Sequence, residues 1–120
     1  MKPRIDDTEF GRITIAGKVR EHDVLIRLDG SVKKRKKKLS KAKYGTSHTV
    51  SLEEAKHIFD AGARRLIVGT GQHGLVELSE EAAAYFRRKG CAVDLFPTPQ
   101  AVEAWNAMHG AVIGMFHVTC

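Results

Sequence analysis

The sequence is poor in cysteine: Cys91 and Cys120 are the only two in 120 residues. Two cysteines cannot build the disulfide framework on which small secreted domains depend, so we expect a reducing, cytoplasmic compartment. The sequence also lacks any apolar run near the ~20 residues that a membrane-spanning helix requires. Residues 1–7 lack the apolar core of a signal peptide. The sequence therefore predicts neither secretion nor membrane insertion.

Aromatic residues make up only 7 % of the chain, and acidic residues are absent from residues 33–43. Without the eight basic side chains of that segment, the net charge of the chain would fall from +6 to −2. The basic character is therefore local. It predicts a basic surface composed of Lys33, Lys34, Arg35, Lys36, Lys37, Lys38, Lys41 and Lys43. Such a surface could contact nucleic acid or an acidic partner, because clustered cations release counterions from a phosphate backbone. The alternative is a solvated sheet edge on which lysines prevent further pairing.

The remaining composition, 42 % apolar and 28 % charged, is typical of a globular chain. Its length predicts one domain, residues 1–120, with a core of its own. Alternating apolar residues predict strands at 13–15 and 24–28. Asp29-Gly30 predicts a two-residue type I′ turn that leads into a lysine-rich edge strand at 31–36.

Helices and strands are predicted to alternate in the rest of the chain, after a loop at residues 39–49 that has no periodicity. A capping box predicts the first helix, with Ser51 as N-cap and Glu54 reaching back to it. Ser79 and Thr98 are the predicted N-caps of two further helices. The predicted strands lie at residues 66–68, 91–96 and 111–118. The last strand is apolar almost throughout, which indicates a central position in the sheet.

This order of elements predicts the fold class. Strand–helix–strand units of this length favour parallel pairing, whereas the hairpins near the start are antiparallel. We therefore expect an α/β fold: a three-layer domain whose mixed central sheet is flanked by helices, with an N-terminal β-hairpin layer.

Residues 69–74, Gly-Thr-Gly-Gln-His-Gly, follow a predicted strand and match the pattern G-x-G-x-x-G. Three glycines in six residues allow a tight turn whose N–H groups can face an anion. A dinucleotide site is not predicted, because the next helix starts only at Ser79 and too few α/β units follow. No cofactor is expected. The segment predicts either an anion-accepting loop or a tight turn with backbone packing alone.

Two further segments carry reactive groups: residues 44–48, Tyr-Gly-Thr-Ser-His, and residues 116–120, Phe-His-Val-Thr-Cys. An enzyme would use Cys120 or Ser47 as nucleophile, with His48 or His117 as base. No G-x-S-x-G nucleophile elbow is present, so the sequence favours a protein that is not an enzyme. A single H-x-x-C spacing does not predict a metal site.

The order of five motifs resembles a known family. They are Phe10-Gly11, His22-Asp23-Val24, residues 44–48, Gly69-Thr70-Gly71-Gln72 and residues 116–120. Over residues 3–120 the chain resembles the Mth-domain family of small proteins of unknown function. Relatives are the adipogenesis-associated Mth-domain protein and a mitochondrial assembly factor for respiratory complex I. The resemblance implies a three-layer α/β domain with a mixed sheet, and it implies no catalytic residues.

The resemblance also implies a site where three segments would converge. The candidate pocket residues are Tyr44, Thr46, Ser47, His48, Gly69, Thr70, Gly71, Gln72, His117 and Thr119. The leading hypothesis is a small, soluble binding or assembly module whose polar pocket accepts an anion, or which binds a protein partner. The alternatives are an enzyme that uses the pairs named above, and nucleic-acid or acidic-partner binding through the basic segment.

Overall fold

A computed structural model describes residues 2–120 of the chain. Within these residues, ten strands and four helices follow one another. The strands are β1 (Ile5–Glu9), β2 (Arg12–Ile15), β3 (Lys18–Arg20), β4 (Val24–Ile26), β5 (Val32–Lys34), β6 (Thr49–Val50), β7 (Arg65–Thr70), β8 (Glu77–Leu78), β9 (Ala92–Phe96) and β10 (Val112–His117). The helices are α1 (Lys38–Tyr44), α2 (Leu52–Ile58), α3 (Glu80–Arg88) and α4 (Thr98–Ala107). None of the helices in the described part of the chain is long and apolar enough to cross a membrane.

The central sheet is mixed and has the strand order β5-β4-β10-β7-β9. β10, β7 and β9 run parallel, whereas β4 pairs antiparallel with both β10 and β5. The predicted central position of the last strand and the edge position of the lysine-rich strand are both confirmed. β10 and β4 pair through Phe116 and Val24, so the residues just before β4 lie beside the end of β10. This pairing positions the candidate site.

Apolar cores on the two faces of the sheet create three layers. Successive side chains of a strand point to opposite faces, so Leu66 and Val68 of β7 join one core and Ile67 joins the other. Helices α2 and α3 cover the first face. Helix α4 and a separate three-stranded sheet, β1-β2-β3, cover the second, where Trp105 meets Phe116 edge-on at 5.9 Å between ring centroids. The predicted three-layer α/β fold with an N-terminal hairpin layer is confirmed.

Two of the predicted helix N-caps are confirmed, and one detail is wrong. The side chains of Ser51 and Ser79 accept hydrogen bonds from the N–H groups of Glu54 and Ala82. Glu54, however, does not reach back to the N-terminus of α2. Its carboxylate accepts from Ser40, while the N–H of Ser51 donates to the Ser40 hydroxyl at 2.9 Å. Glu54 is free to turn inward because Ser40 takes over the second half of the capping box.

The predicted loop at 39–49 is wrong over its first half, where α1 forms. Most of α1 is exposed and carries no apolar stripe, so its sequence has no helical periodicity to detect. Tertiary hydrogen bonds of the buried Ser40 hold the helix in place instead. Gly45 ends it in the left-handed conformation, with φ of 72°.

The predicted turn at Asp29-Gly30 and the predicted N-cap Thr98 are also wrong. Gly30 has a positive φ of 86°, but Asp29 does not, so the hairpin is not a two-residue type I′ turn. The loop is longer: Gly30 N–H donates to the carbonyl of Arg27, whose own N–H donates to Ser31. At α4 the N-cap is Pro97, because the Thr98 hydroxyl is used elsewhere: it accepts from the N–H of Gly71 at 2.9 Å and donates to the carbonyl of His117 at 2.6 Å.

Candidate functional site

A buried cluster of charges surrounds Arg35, whose side chain is fully enclosed. Its Nε and Nη2 donate to the two carboxylate oxygens of Glu54 at 2.6 and 3.0 Å. Its Nη1 donates to Asp23 Oδ2 at 2.9 Å, and Nη2 also donates to the carbonyl of Ser47. The prediction that Arg35 belongs to the basic surface is therefore wrong. Two inward-facing carboxylates bury this guanidinium, while the lysines around it stay exposed.

Asp23 is held in its ionised form inside this cluster. Burial by itself would raise the pKa of Asp23. The hydrogen bond from His117, the N–H of Val118 and the charge of Arg35 outweigh burial, so the pKa of Asp23 lies below its ordinary value. Burial likewise works against the charge of Arg35, but Glu54 and Asp23 outweigh it and raise its pKa.

A chain of hydrogen bonds leads from Asp23 through His117 to Thr119. His117 Nδ1 lies 2.7 Å from Asp23 Oδ2, and His117 Nε2 lies 3.2 Å from the Thr119 hydroxyl. Because an ionised carboxylate can only accept, Nδ1 carries the proton and donates it. In a neutral imidazole Nε2 is then the acceptor, so the Thr119 hydroxyl donates to it. We call these three residues the Asp-His-Thr chain.

A cavity of about 280 Å³ opens at the Thr119 end of the Asp-His-Thr chain. Thr119 is half-buried and lines it, whereas the His117 side chain is only 2 % exposed. The full lining consists of Gly11, Glu21, His22, Asp23, Lys34, Arg35, Lys37, Val118 and Thr119. We call it the β4–β10 cavity, since its walls come from the start of β4, the end of β10 and the lysine-rich edge.

Residues 69–74, which we call the glycine segment, donate hydrogen bonds from backbone N–H groups to the last residues of the chain. The N–H groups of Gln72 and His73 donate to the carbonyls of Thr119 and Cys120 at 2.7 and 3.0 Å. The N–H of Gly71 donates to the Thr98 hydroxyl at 2.9 Å. Gly71 has a φ of +106°, and a Cβ there would lie 2.2 Å from the carbonyl carbon of Cys120. These amides already have partners within the protein, so groups that receive an anion must come from elsewhere.

The structure brings some of the predicted pocket residues together. The rings of His48 and His117 are 5.6 Å apart, edge to face. Gly71 packs against His117, and Thr70 is paired with it in the sheet. The N–H of His48 donates to the Thr46 hydroxyl, a local turn contact.

Other members of the predicted pocket face elsewhere. The hydroxyl of Tyr44 donates to Glu81 at 3.2 Å on the surface of α3. Gln72 donates to the Thr8 hydroxyl in the hairpin layer. Gly69 is enclosed between Phe116 and Thr98.

The nucleophile–base pairs considered from the sequence are not formed within residues 2–120. Ser47 is buried and contributes its carbonyl to Arg35. The thiol of Cys120 is half-buried and makes no hydrogen bond to an imidazole in this part of the chain. Of the two candidate bases, His117 does meet a hydroxyl, but it is that of Thr119. The same residues contain no group of three His, Cys, Asp or Glu side chains placed to hold a metal ion.

Sequence reasoning missed the carboxylates. The Asp23 carboxylate accepts the hydrogen bond of His117, and the Glu54 carboxylate pairs with the buried Arg35, yet neither was a candidate site residue. For Asp23 a signal existed: it directly precedes three apolar residues that form a buried strand. For Glu54 the capping-box pattern gave a sufficient local explanation and concealed the inward orientation of the side chain.

The fold and this site together define a class of protein: a small three-layer α/β domain with a buried Asp–Arg–Glu cluster and a cavity at the end of its central strand. A family model described as protein of unknown function (DUF498/DUF598) matches residues 5–117. The chain belongs to that family.

Solved structures agree with this assignment. A conserved hypothetical protein from Pyrococcus horikoshii OT3 is 32 % identical, with a TM-score of 0.89 over 98 % of this chain and 99 % of its own. The protein MT938 is 31 % identical, with a TM-score of 0.82 over 99 % of this chain and 100 % of its own. A Bordetella pertussis protein described as a Mth938-like domain shares the fold at 16 % identity, with a TM-score of 0.63 over 97 % and 85 % of the two chains. The predicted membership of the Mth-domain family is confirmed.

Proposed function

We propose that this protein is a small binding module that takes a small anionic ligand, such as a phosphate or carboxylate, into the β4–β10 cavity. The observation that carries the proposal is the composition of the cavity wall. Two exposed lysines, Lys34 and Lys37, line the cavity together with the half-buried Thr119, which carries a hydroxyl. A hydroxyl and two flexible cations are suitable partners for an anion of a few heavy atoms.

The charge balance beneath the cavity supports this proposal. Arg35 is fully engaged by Asp23 and Glu54, so these buried carboxylates do not pair with the lysines of the rim. Among residues 2–120 neither Lys34 nor Lys37 forms an ion pair. Glu21 at the rim is a single opposing charge, and His22 lies beside it. The rim therefore has an excess of positive charge, which concentrates anions at the mouth of a cleft.

Isothermal titration of the protein with inorganic phosphate, and separately with succinate, tests the proposal. The double variant Lys34→Gln/Lys37→Gln should bind at least 10-fold more weakly. The matched control, Lys41→Gln/Lys43→Gln, removes the same charge from exposed α1 positions outside the cavity lining and should bind like the unmodified protein. Absence of binding by the unmodified protein, or equal weakening in both double variants, would reject the cavity as an anion site.

A second candidate is binding of nucleic acid or an acidic partner through the lysines of residues 33–43. All seven of these lysines are exposed, and residues 34–38 alone line a further cavity of about 420 Å³. Filter binding of an oligonucleotide at two salt concentrations tests it. A contact with phosphates gives an affinity that falls as salt rises, with a slope set by the number of phosphates neutralised. Binding without salt dependence, or none at low salt, would exclude this candidate. A role in assembly with a protein partner remains a prediction.

A further inference from the structure

We infer that Thr119 is a nucleophile, activated by His117, toward small esters that carry a negative charge and enter the β4–β10 cavity. This inference rests on the proposed function, since the same cavity would bind the charged part of the ester. It replaces the pairings considered from the sequence with a different one, in which the hydroxyl, the base and the carboxylate are already in contact.

The geometry gives each member of the Asp-His-Thr chain a defined task. Asp23 is anchored at both oxygens: Oδ1 accepts from the N–H of Val118 at 2.9 Å, and Oδ2 accepts from Arg35 and His117. The imidazole is thereby held in one tautomer, with Nε2 directed at the Thr119 hydroxyl 3.2 Å away. A carboxylate that orients an imidazole, which in turn contacts a hydroxyl, is the arrangement that activates a nucleophile in acyl transfer.

A structural role for His117 explains only half of this arrangement. A buried imidazole needs a partner for its polar atoms, and Asp23 satisfies Nδ1. The partner of Nε2 is instead a half-buried hydroxyl that lines an open cavity. A group that served packing alone would not have to lie where a ligand can reach it.

The step we infer is an acyl transfer. Thr119 Oγ attacks the carbonyl carbon of the ester and forms a new C–O bond, while its proton passes to His117 Nε2. The bond to the leaving alkoxide or phenoxide breaks, and the leaving group departs with the electron pair of that bond and takes the proton from His117 or solvent. Water then attacks the acyl-threonine with His117 as base, which releases the acid and restores the hydroxyl.

Mono-p-nitrophenyl succinate is a suitable probe, because it joins a carboxylate to an activated ester. We expect a burst of p-nitrophenolate and a succinyl group on Thr119, located by peptide mass spectrometry. An ester on threonine is removed by hydroxylamine, whereas an amide on Lys34 or Lys37 is not. A thioester on the neighbouring Cys120 is also labile, so fragmentation of the peptide must assign the adduct to its residue. Thr119→Val should abolish the labile adduct at position 119, and Thr119→Ser should retain it. The matched control Thr14→Val, a half-buried threonine of β2 outside the cavity lining, should behave like the unmodified protein.

Two further variants separate the roles of the base and of the residue that positions it. His117→Gln should slow the burst about 100-fold or more, because general base catalysis contributes on this scale. Asp23→Asn should slow it and also alter its dependence on pH, which a loss of packing alone would not do. If these variants do not fold, the three threonine variants still decide the question.

The results for the two proposals can be told apart. Phosphate binding without a labile adduct on Thr119 would overturn the nucleophile while leaving the anion site intact. Adducts confined to lysines or to Cys120 would overturn it too. A labile adduct on Thr119 in a protein that binds neither phosphate nor succinate would support the nucleophile and reject the anion site.

Discussion

Replacing Gly71 with alanine should destabilise the protein far more than its single added methyl group suggests. Gly71 has a φ of +106°, a conformation in which an L-residue is strained by about 1–2 kcal/mol. The added Cβ would also lie 2.2 Å from the carbonyl carbon and 2.5 Å from the carbonyl oxygen of Cys120. Both atoms belong to the backbone, so no side-chain rotation relieves the overlap, and the last residues must move.

That movement would break hydrogen bonds between residues 72–75 and the end of the chain. Three of them converge there: from Gln72 N–H to Thr119, and from the N–H groups of His73 and Leu75 to Cys120. At about 1 kcal/mol each, loss of two or three adds 2–3 kcal/mol to the backbone strain. We expect the free energy of unfolding to fall by about 3–5 kcal/mol in total.

Urea denaturation measures this quantity, with the fluorescence of the buried Trp105 as the signal. Gly110→Ala is the matched control, because Gly110 has a similar φ of +96° but no atom within 4 Å of its added Cβ. It should lose only the strain component, about 1–2 kcal/mol. If the two variants differ by less than about 0.5 kcal/mol, near the limit of additivity for such data, the contact with Cys120 is not what requires glycine here.

Three further predictions concern the buried charges and the thiols. Arg35→Met leaves the carboxylates of Asp23 and Glu54 without their counter-charge and should lower the free energy of unfolding by about 3–5 kcal/mol. The control Lys36→Met, at an exposed position, should change it by less than about 0.5 kcal/mol, and equal effects would contradict the buried cluster. Because the folded-state pKa of Asp23 is depressed, its contribution to stability is complete above its unfolded pKa and is lost as pH falls through the folded pKa. Between about pH 5 and pH 2 the free energy of unfolding should therefore fall less steeply with decreasing pH in Asp23→Asn, and the same slope in both proteins would contradict that reasoning. Burial raises the pKa of the Cys91 thiol, so an alkylating reagent near neutral pH should modify the half-buried Cys120 first and Cys91 only after unfolding. Mass spectrometry counts the modified thiols, and modification of Cys91 in the folded protein would contradict this prediction.

Features that depend on local contacts could be predicted from the sequence, whereas features that depend on tertiary contacts could not. The caps at Ser51 and Ser79 need only a hydroxyl three residues from an amide, so a short pattern was sufficient. Helix α1 was missed because what stabilises it is a tertiary contact, the Ser40 hydroxyl on Glu54. The turn at Asp29-Gly30 was assigned the wrong type because one positive φ is compatible with several loop lengths.

The candidate site shows the same division. Strand alternation placed His117 and Thr119 on one face, and their hydrogen bond agrees with that placement. Asp23 lies 94 positions from His117 in the chain, and only the antiparallel pairing of β4 with β10 brings them together. The glycine segment could be recognised as a turn, but not that its amides would be taken by Thr119 and Cys120.

The sequence by itself determined the alternation of strands and helices, the central apolar strand, the lysine-rich edge and membership of the family. These properties follow from periodicity, capping and the order of motifs, all of which can be read along the chain without knowledge of tertiary contacts. The tertiary structure alone decided which charges are buried. Arg35 and the neighbouring Lys36 are adjacent cations in the sequence, yet one lies inside and the other outside, because only Arg35 meets two carboxylates from distant segments. Desolvating a charge is too costly without such partners, and which partners are within reach is a property of the fold.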